Sequence, residues 1–221
     1  MPGGVSRWTI VAIWIGCTLE TSVMRSPSLA ALTFVVCLGA GGHGNAAPLH
    51  DAARTGNVDQ IKQILATGSD VNDRDRERET PLIEAALADQ PEAVAALIEA
   101  GADLEARNDR GFTALHASAY AGSLPIATLL LDHGAVVDAR SLHAITPLHV
   151  AAEQNQAAVA ELLIARGADV EAVQGYGYTP LSRATFYKSA AVMALLKRHG
   201  ARCQPKEKIG ASQAACLAAA N

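Results

Sequence analysis

Apolar positions along the chain come in short bursts that repeat. Ile126, Leu129 and Leu130 make one burst and Val159, Leu162 and Leu163 the next, spaced three and four apart as on one face of a helix. A shorter stretch precedes each burst, in which a leucine is followed by small residues such as Ala85-Ala86 or Ala151-Ala152. That pattern predicts a short helix that a neighbour can approach closely. Threonine and proline open most of these stretches, the threonine suited to the N-cap and the proline to the first helical turn. A glycine follows each burst and predicts a stop in the left-handed conformation that glycine adopts at little cost. Polar, turn-rich segments such as residues 102–112 predict an extended finger between one helix pair and the next.

These features recur at a fixed interval. Thr80, Thr113, Thr146 and Thr179 are 33 residues apart and open the phrases Thr80-Pro81-Leu82, Thr113-Ala114-Leu115-His116, Thr146-Pro147-Leu148-His149 and Thr179-Pro180-Leu181. Ala47-Pro48-Leu49-His50 carries the phrase one period earlier, and Gly68, Gly101, Gly134, Gly167 and Gly200 close the five copies. A repeat of this length means a solenoid in which stacking supplies the core, since no single unit can bury its own apolar face. The expected units are 47–79, 80–112, 113–145, 146–178 and 179–202. Gln60 and Gln63 in the first unit and Lys197 in the last replace residues that are apolar or small elsewhere, as caps of a finite stack require. Residues 203–221 read as an Ala-rich capping segment, helical from Ser212 to Ala220.

On its Thr-Pro-Leu-His and Gly-Ala-Asp phrases, the segment from residue 47 to about 202 resembles the ankyrin repeat family. The resemblance implies an all-α solenoid of paired antiparallel helices with a projecting β-hairpin finger per repeat, binding proteins on its concave side. It also implies that His50, His116 and His149 hydrogen-bond finger backbone between repeats. Ile83 and Ser182 depart from the family histidine, and Arg78 and Ala144 stand where Gly111 and Gly177 keep the pattern. These departures weaken single turns and leave the fold intact.

The first 46 residues belong to a different account. Trp8 to Gly16 is too short to span a hydrocarbon core of ~20 residues. Met24-Arg25, the apolar run Leu29 to Ala40 and the small residues around Ala46 have the layout of a secretory signal. A leader ending at Ala46 is 46 residues long from Met1 and 23 from Met24, and only the second length is usual. The segment is therefore expected to be a signal peptide whose start is Met24, with an N-terminal membrane anchor as the competing reading. A periplasmic or secreted chain with no membrane span follows from the first. Removing the leader takes Cys17 and Cys37 with it. Cys203 and Cys216 then remain as an even pair that oxidising surroundings would join, the alternative being two free thiols.

Composition narrows the chemistry. Eighteen Lys and Arg against 22 Asp and Glu, a formal net charge of -4, leave no basic footprint for a phosphate backbone, so nucleic acid is not an expected partner. The histidines at 50, 116 and 149 would stand in a row about 10 Å apart, too far to share a metal ion. No Gly-x-Ser-x-Gly elbow and no phosphate-binding Gly-rich loop occurs. No catalytic residue, metal, cofactor or small-molecule substrate is expected, and the alternating charges of Asp73 to Glu79 read as a solvated finger.

Aromatic residues carry the remaining signal. Of nine, six lie beyond the leader: Phe112, Tyr120, Tyr176, Tyr178, Phe186 and Tyr187. All fall at finger or late first-helix positions that vary between copies, where interface rings and arginines are effective. Arg110 and His143 in the fingers join them as expected partner-binding residues. The competing reading has the rings fill gaps between small-residue helices. The expected function is a monomeric, non-enzymatic scaffold for another protein. The alternative is an accessory protein modulating an enzyme in the same compartment, for example in oxidative-stress defence.

Overall fold

The chain divides into two units, Met1–Gly41 and Gly42–Asn221. The computed structural model describes residues 48–205 and 212–218, all in the second unit. The expected leader lies outside the described residues, as does Ala47. Five helix pairs follow one another: α1 (Pro48–Arg54) and α2 (Val58–Ala66), α3 (Pro81–Leu87) and α4 (Pro91–Glu99), α5 (Ala114–Ala121) and α6 (Leu124–Asp132), α7 (Pro147–Glu153) and α8 (Ala157–Ala165), α9 (Pro180–Phe186) and α10 (Ala190–Arg198). A last helix, α11 (Ser212–Ala218), packs on α9. First helices stack on first helices and second on second, so the chain builds two helical layers. Among the described residues no helix is long and apolar enough to cross a membrane.

The core repeats with the sequence. Leu49, Leu82, Leu115, Leu148 and Leu181 are all buried, and Leu97, Leu130, Leu163 and Leu196 are fully so. Each such leucine contributes roughly 1.5–3 kcal/mol by leaving water. Between first helices only small residues fit: Ala52, Ala85, Ser118, Ala151 and Ala184 share one buried position. Gln60 and Gln63 are exposed. Lys197 is half-buried instead, its Nζ donating to the Cys216 carbonyl, so α11 covers this cap position.

The opening phrase works as a cap. Thr80 Oγ1 accepts from the Ile83 amide at 3.4 Å and Thr179 Oγ1 from the Ser182 amide at 3.3 Å. Thr113 and Thr146 form capping boxes with His116 and His149. The Thr113 amide donates to His116 Nδ1 at 3.2 Å while His116 Nε2 donates to the Ile145 carbonyl at 2.9 Å. His149 repeats this between Thr146 and the Tyr178 carbonyl, and His50 reaches the Glu79 carbonyl. Each histidine thus ties its own helix start to the next finger. Burial pushes the pKa of His116 and of His149 down to about 4, so both are neutral at pH 7.

The fingers are shorter than hairpins. No strand occurs among the described residues. Each finger is a turn closed by two backbone bonds, as from the Asn108 amide to the Phe112 carbonyl at 3.0 Å and from the Gly111 amide to the Asn108 carbonyl at 2.9 Å. Neighbouring tips are joined by one more, such as the Leu142 amide to the Arg110 carbonyl at 3.1 Å. One bond between tips is too few for a strand ladder, so the expected β-hairpins reduce to linked turns.

Two further ladders hold the fingers in register. Arg74 donates to the Arg107 carbonyl at 2.6 Å, Arg107 to the Arg140 carbonyl, and Arg140 to the Val173 carbonyl at 3.3 Å. Glu105 accepts from the Val136 amide, Asp138 from the Asp169 amide and Glu171 from the Arg202 amide, with Asn72 doing the same for Asp103.

Where glycine is missing, the backbone keeps glycine's conformation. Gly111 has φ +78, and a Cβ there would stand 2.7 Å from the Leu142 nitrogen. Arg78 and Ala144 occupy the equivalent place at φ 60 and φ 54. A left-handed L-residue costs roughly 1–2 kcal/mol. Ala144→Gly is therefore expected to raise the unfolding free energy by about 0.5–1 kcal/mol once glycine's extra unfolded-state freedom is subtracted. Urea unfolding followed by circular dichroism measures it, and a fall in stability would refute the assignment of strain.

Cys203 and Cys216 are joined, with Cα atoms 6.0 Å apart. Cys203 stands at the position of Val71, Leu104, Val137 and Val170, so the link starts from a repeating apolar site and ends on α11.

Candidate partner-binding face

Fingers and first helices share one face, and its residues come from two registers of the repeat. The finger closes with Glu79, Phe112, Ile145 and Tyr178, and its tip carries Glu77, Arg110, His143 and Tyr176. The first helix contributes Asp51, Glu84, Ala117, Val150 and Arg183 at one position and Arg54, Leu87, Tyr120, Glu153 and Phe186 at another. Every position in these lists takes more than one chemistry across the repeats, in contrast to the buried leucines.

The rings fall into two groups. Tyr120, Tyr176, Phe186 and Tyr187 are exposed, with 56%, 68%, 70% and 45% of their surface accessible. Phe112 and Tyr178 are half-buried, and Phe112 stacks on the His116 ring with centroids 5.0 Å apart. These two therefore contribute to packing as well as to the face. His143 and Tyr176 lie ring to ring at 5.4 Å across adjacent finger tips, and Phe186 meets Tyr187 edge-on at 5.3 Å. Arg183 lies 5.1 Å from the centre of the Tyr187 ring and pairs with Glu153, which fixes both side chains on the last two first helices. Burial, with Glu153 close by, raises the Tyr187 pKa. Arg110 is exposed, and Leu142, which sequence reasoning passed over, is 73% exposed at its finger tip.

Two grooves open on this face, each at a departure from the repeating histidine. One, of about 290 Å³, is lined by Ile83, Leu87, Phe112, His116 and Tyr120, with Glu79, Asn108 and Arg110 at its rim. The other, of about 140 Å³, is lined by Tyr178, Ser182, Arg183 and Phe186. Ile83 has no polar atom to offer the Phe112 carbonyl, so the histidine tie is broken there and an apolar floor replaces it. Ser182 bonds Gln204 instead, which in turn donates to the Gly177 carbonyl at 2.8 Å.

Acidic residues are the other component that sequence reasoning missed. Oxygens of Asp75, Glu79 and Glu84 lie within 4.8 Å of one another, half-buried. Glu79 accepts from Asn108 Nδ2 at 3.2 Å, and no ion pair among the described residues involves any of the three. Burial raises the pKa of Glu79 and of Glu84, with repulsion from Asp75 adding to both and repulsion from Glu79 adding to that of Glu84. The repeating period marks Glu79 and Glu84 as groove positions, but only folding shows that both meet Asp75.

Comparison with known families agrees with this architecture. A model described as ankyrin repeats (3 copies) matches residues 49–141, and one described as ankyrin repeats (many copies) matches residues 130–184. No curated protein matches the chain. The two family matches overlap and together run over more than half the sequence. With five helix pairs, ties from His50, His116 and His149 to the fingers that follow them and a continuous double layer, they establish that the chain belongs to the ankyrin repeat family.

Proposed function

We propose that this chain is an exported, non-enzymatic scaffold that holds another protein on the face shared by its fingers and first helices, in the second to fifth repeats. Ankyrin repeats are protein-interaction modules and typically carry no chemistry of their own. The observation that carries the reading is the exposure of Tyr120, Tyr176, Phe186 and Tyr187 on one face, at positions the repeat does not need for packing. Exposed rings gathered with arginine are the material of interface hot spots. Export is supported by the secretory layout of residues 24–46 and by the Cys203–Cys216 link, which a reducing cytosol does not maintain. The protein acts as a monomer in this reading.

Affinity capture from the exporting cell tests it. Tyr176→Ala and Phe186→Ala are each expected to weaken capture by about tenfold or more while shifting the melting temperature by only about 1–2 °C, since exposed side chains away from packed features change stability little. Tyr178→Ala is expected to lower both, because its ring is half-buried. A fall in melting temperature with capture intact for Tyr176 and Phe186 assigns those rings to the stack and defeats the reading.

A further inference from the structure

The groove between the second and third repeats combines an apolar floor with an unpaired acidic end. Ile83, Leu87, Phe112 and Tyr120 form its walls, and Glu79 closes it. Behind Glu79 stand Asp75 and Glu84, all three with oxygens within 4.8 Å of one another and none in an ion pair among the described residues. Among the described residues Arg110 lines the groove beside Glu79 without pairing with it, and Arg54, near Glu84, is paired with Asp51. Like charges held this close repel, and half-burial deprives them of water that would screen them. A cation placed there relieves both costs.

The occupant follows from shape as well as charge. A volume of about 290 Å³ lies at the lower limit of small-molecule pockets and suits one long side chain. Lysine and arginine lay an aliphatic stem along apolar surface while the charged head seeks polar company. The Tyr120 and Phe112 rings add an attractive face for such a cation. The same first-helix position reads Asp51, Glu84, Ala117, Val150, Arg183 along the stack. Asp51 is paired with Arg54 and Arg183 with Glu153, so Glu84 is the charge at this position without an ion pair among the described residues, and apolar Ala117 and Val150 follow it. A segment with a basic residue followed by apolar ones is complementary to that order.

We propose that this groove receives a lysine or arginine side chain of the partner protein, its head at Glu79 and Glu84 and its stem against Ile83, Leu87 and Tyr120. The bound segment then continues with apolar residues toward the third to fifth repeats. This deepens the scaffold reading above and rests on it.

Random peptides displayed on phage, selected on the folded, disulfide-bonded chain and then synthesised with a fluorescent label, provide the test. Selected peptides are expected to carry Lys or Arg beside apolar residues. They are expected to lose about tenfold or more in affinity for the E79Q/E84Q double variant, and as much when the basic residue is replaced by norleucine. Raising the salt concentration should weaken them further. The double variant should melt no lower than the parent, because it removes repulsion. Peptides that bind, depend on Tyr176 and Phe186, and ignore both E79Q/E84Q and norleucine leave the scaffold reading standing and overturn this inference. Peptides indifferent to every one of these changes overturn both. Calcium alone, bound in the absence of peptide with an affinity that E79Q abolishes, assigns the three carboxylates to a metal ion and overturns the cationic anchor.

Discussion

The stack is expected to lose several kcal/mol of unfolding free energy between pH 6.5 and pH 4. His116 and His149 are buried at the helix starts, and both nitrogens of each ring are engaged: Nδ1 accepts from a threonine amide and Nε2 donates to the next finger's carbonyl. A proton on Nδ1 destroys the first bond and places a charge in the core. Burial accordingly lowers each pKa from 6.5 to about 4. The unfolded chain binds protons that the folded chain refuses, so stability is fully present above pH 6.5 and falls as the pH drops toward 4. A shift of this size corresponds to about 3 kcal/mol per histidine at the limit. Glu79 and Glu84 act in the opposite sense, because their raised pKa values favour folding once they are protonated, and they offset part of the loss at the acid end. Urea titrations at pH 7 and pH 4.5 measure the balance. A stability that is flat across this range would refute the neutral, doubly bonded histidine. The variant H116Q/H149Q should be less stable at pH 7 and show a markedly shallower pH dependence.

Breaking the Cys203–Cys216 link is expected to cost about 3 kcal/mol, the loop-entropy value for a sequence separation of 13. For a domain of this length that is a fall in melting temperature of about 10 °C. The loss should concentrate at the end of the stack. Helix α11 has seven residues, too few to persist without tertiary support, and it packs on α9. Lys197 donates to the Cys216 carbonyl, so release of α11 also strips the partner from a half-buried ammonium. Reductant should therefore speed amide exchange in α9 and α10 first and leave α3 to α6 unchanged, whereas C203S/C216S should melt at the reduced value with or without reductant. Uniform loss of protection, or none, would contradict a local clasp.

How far the sequence reveals this depends on whether a residue's role is set within its own repeat. The 33-residue period, the threonine caps, the buried leucines and the glycine stops are all readable because each acts locally or by simple recurrence. The histidine ties are also foreseen, through the family resemblance. The arginine ladder was not, because Arg74 in isolation is one charge in an alternating finger. Its guanidinium finds the Arg107 carbonyl only when the next repeat is stacked. The same holds for Asp75, Glu79 and Glu84, which come together from a finger and a helix. Phe112 and Tyr178 share a variable position with no sign in the sequence that their rings turn half inward. The fingers themselves are overestimated as hairpins, since the polar, turn-rich spacing that signals them does not state how many backbone bonds they make.

The central claim is that this face, and no other, holds a protein partner. A photo-crosslinking amino acid placed singly at Tyr176 or Phe186, and for comparison at the exposed Glu161 on α8, tests it most directly in the exporting cell. The account predicts that the first two positions yield the same discrete adduct and that Glu161 yields none. Adducts from Glu161 with silence at Tyr176 and Phe186 in the folded protein would contradict it.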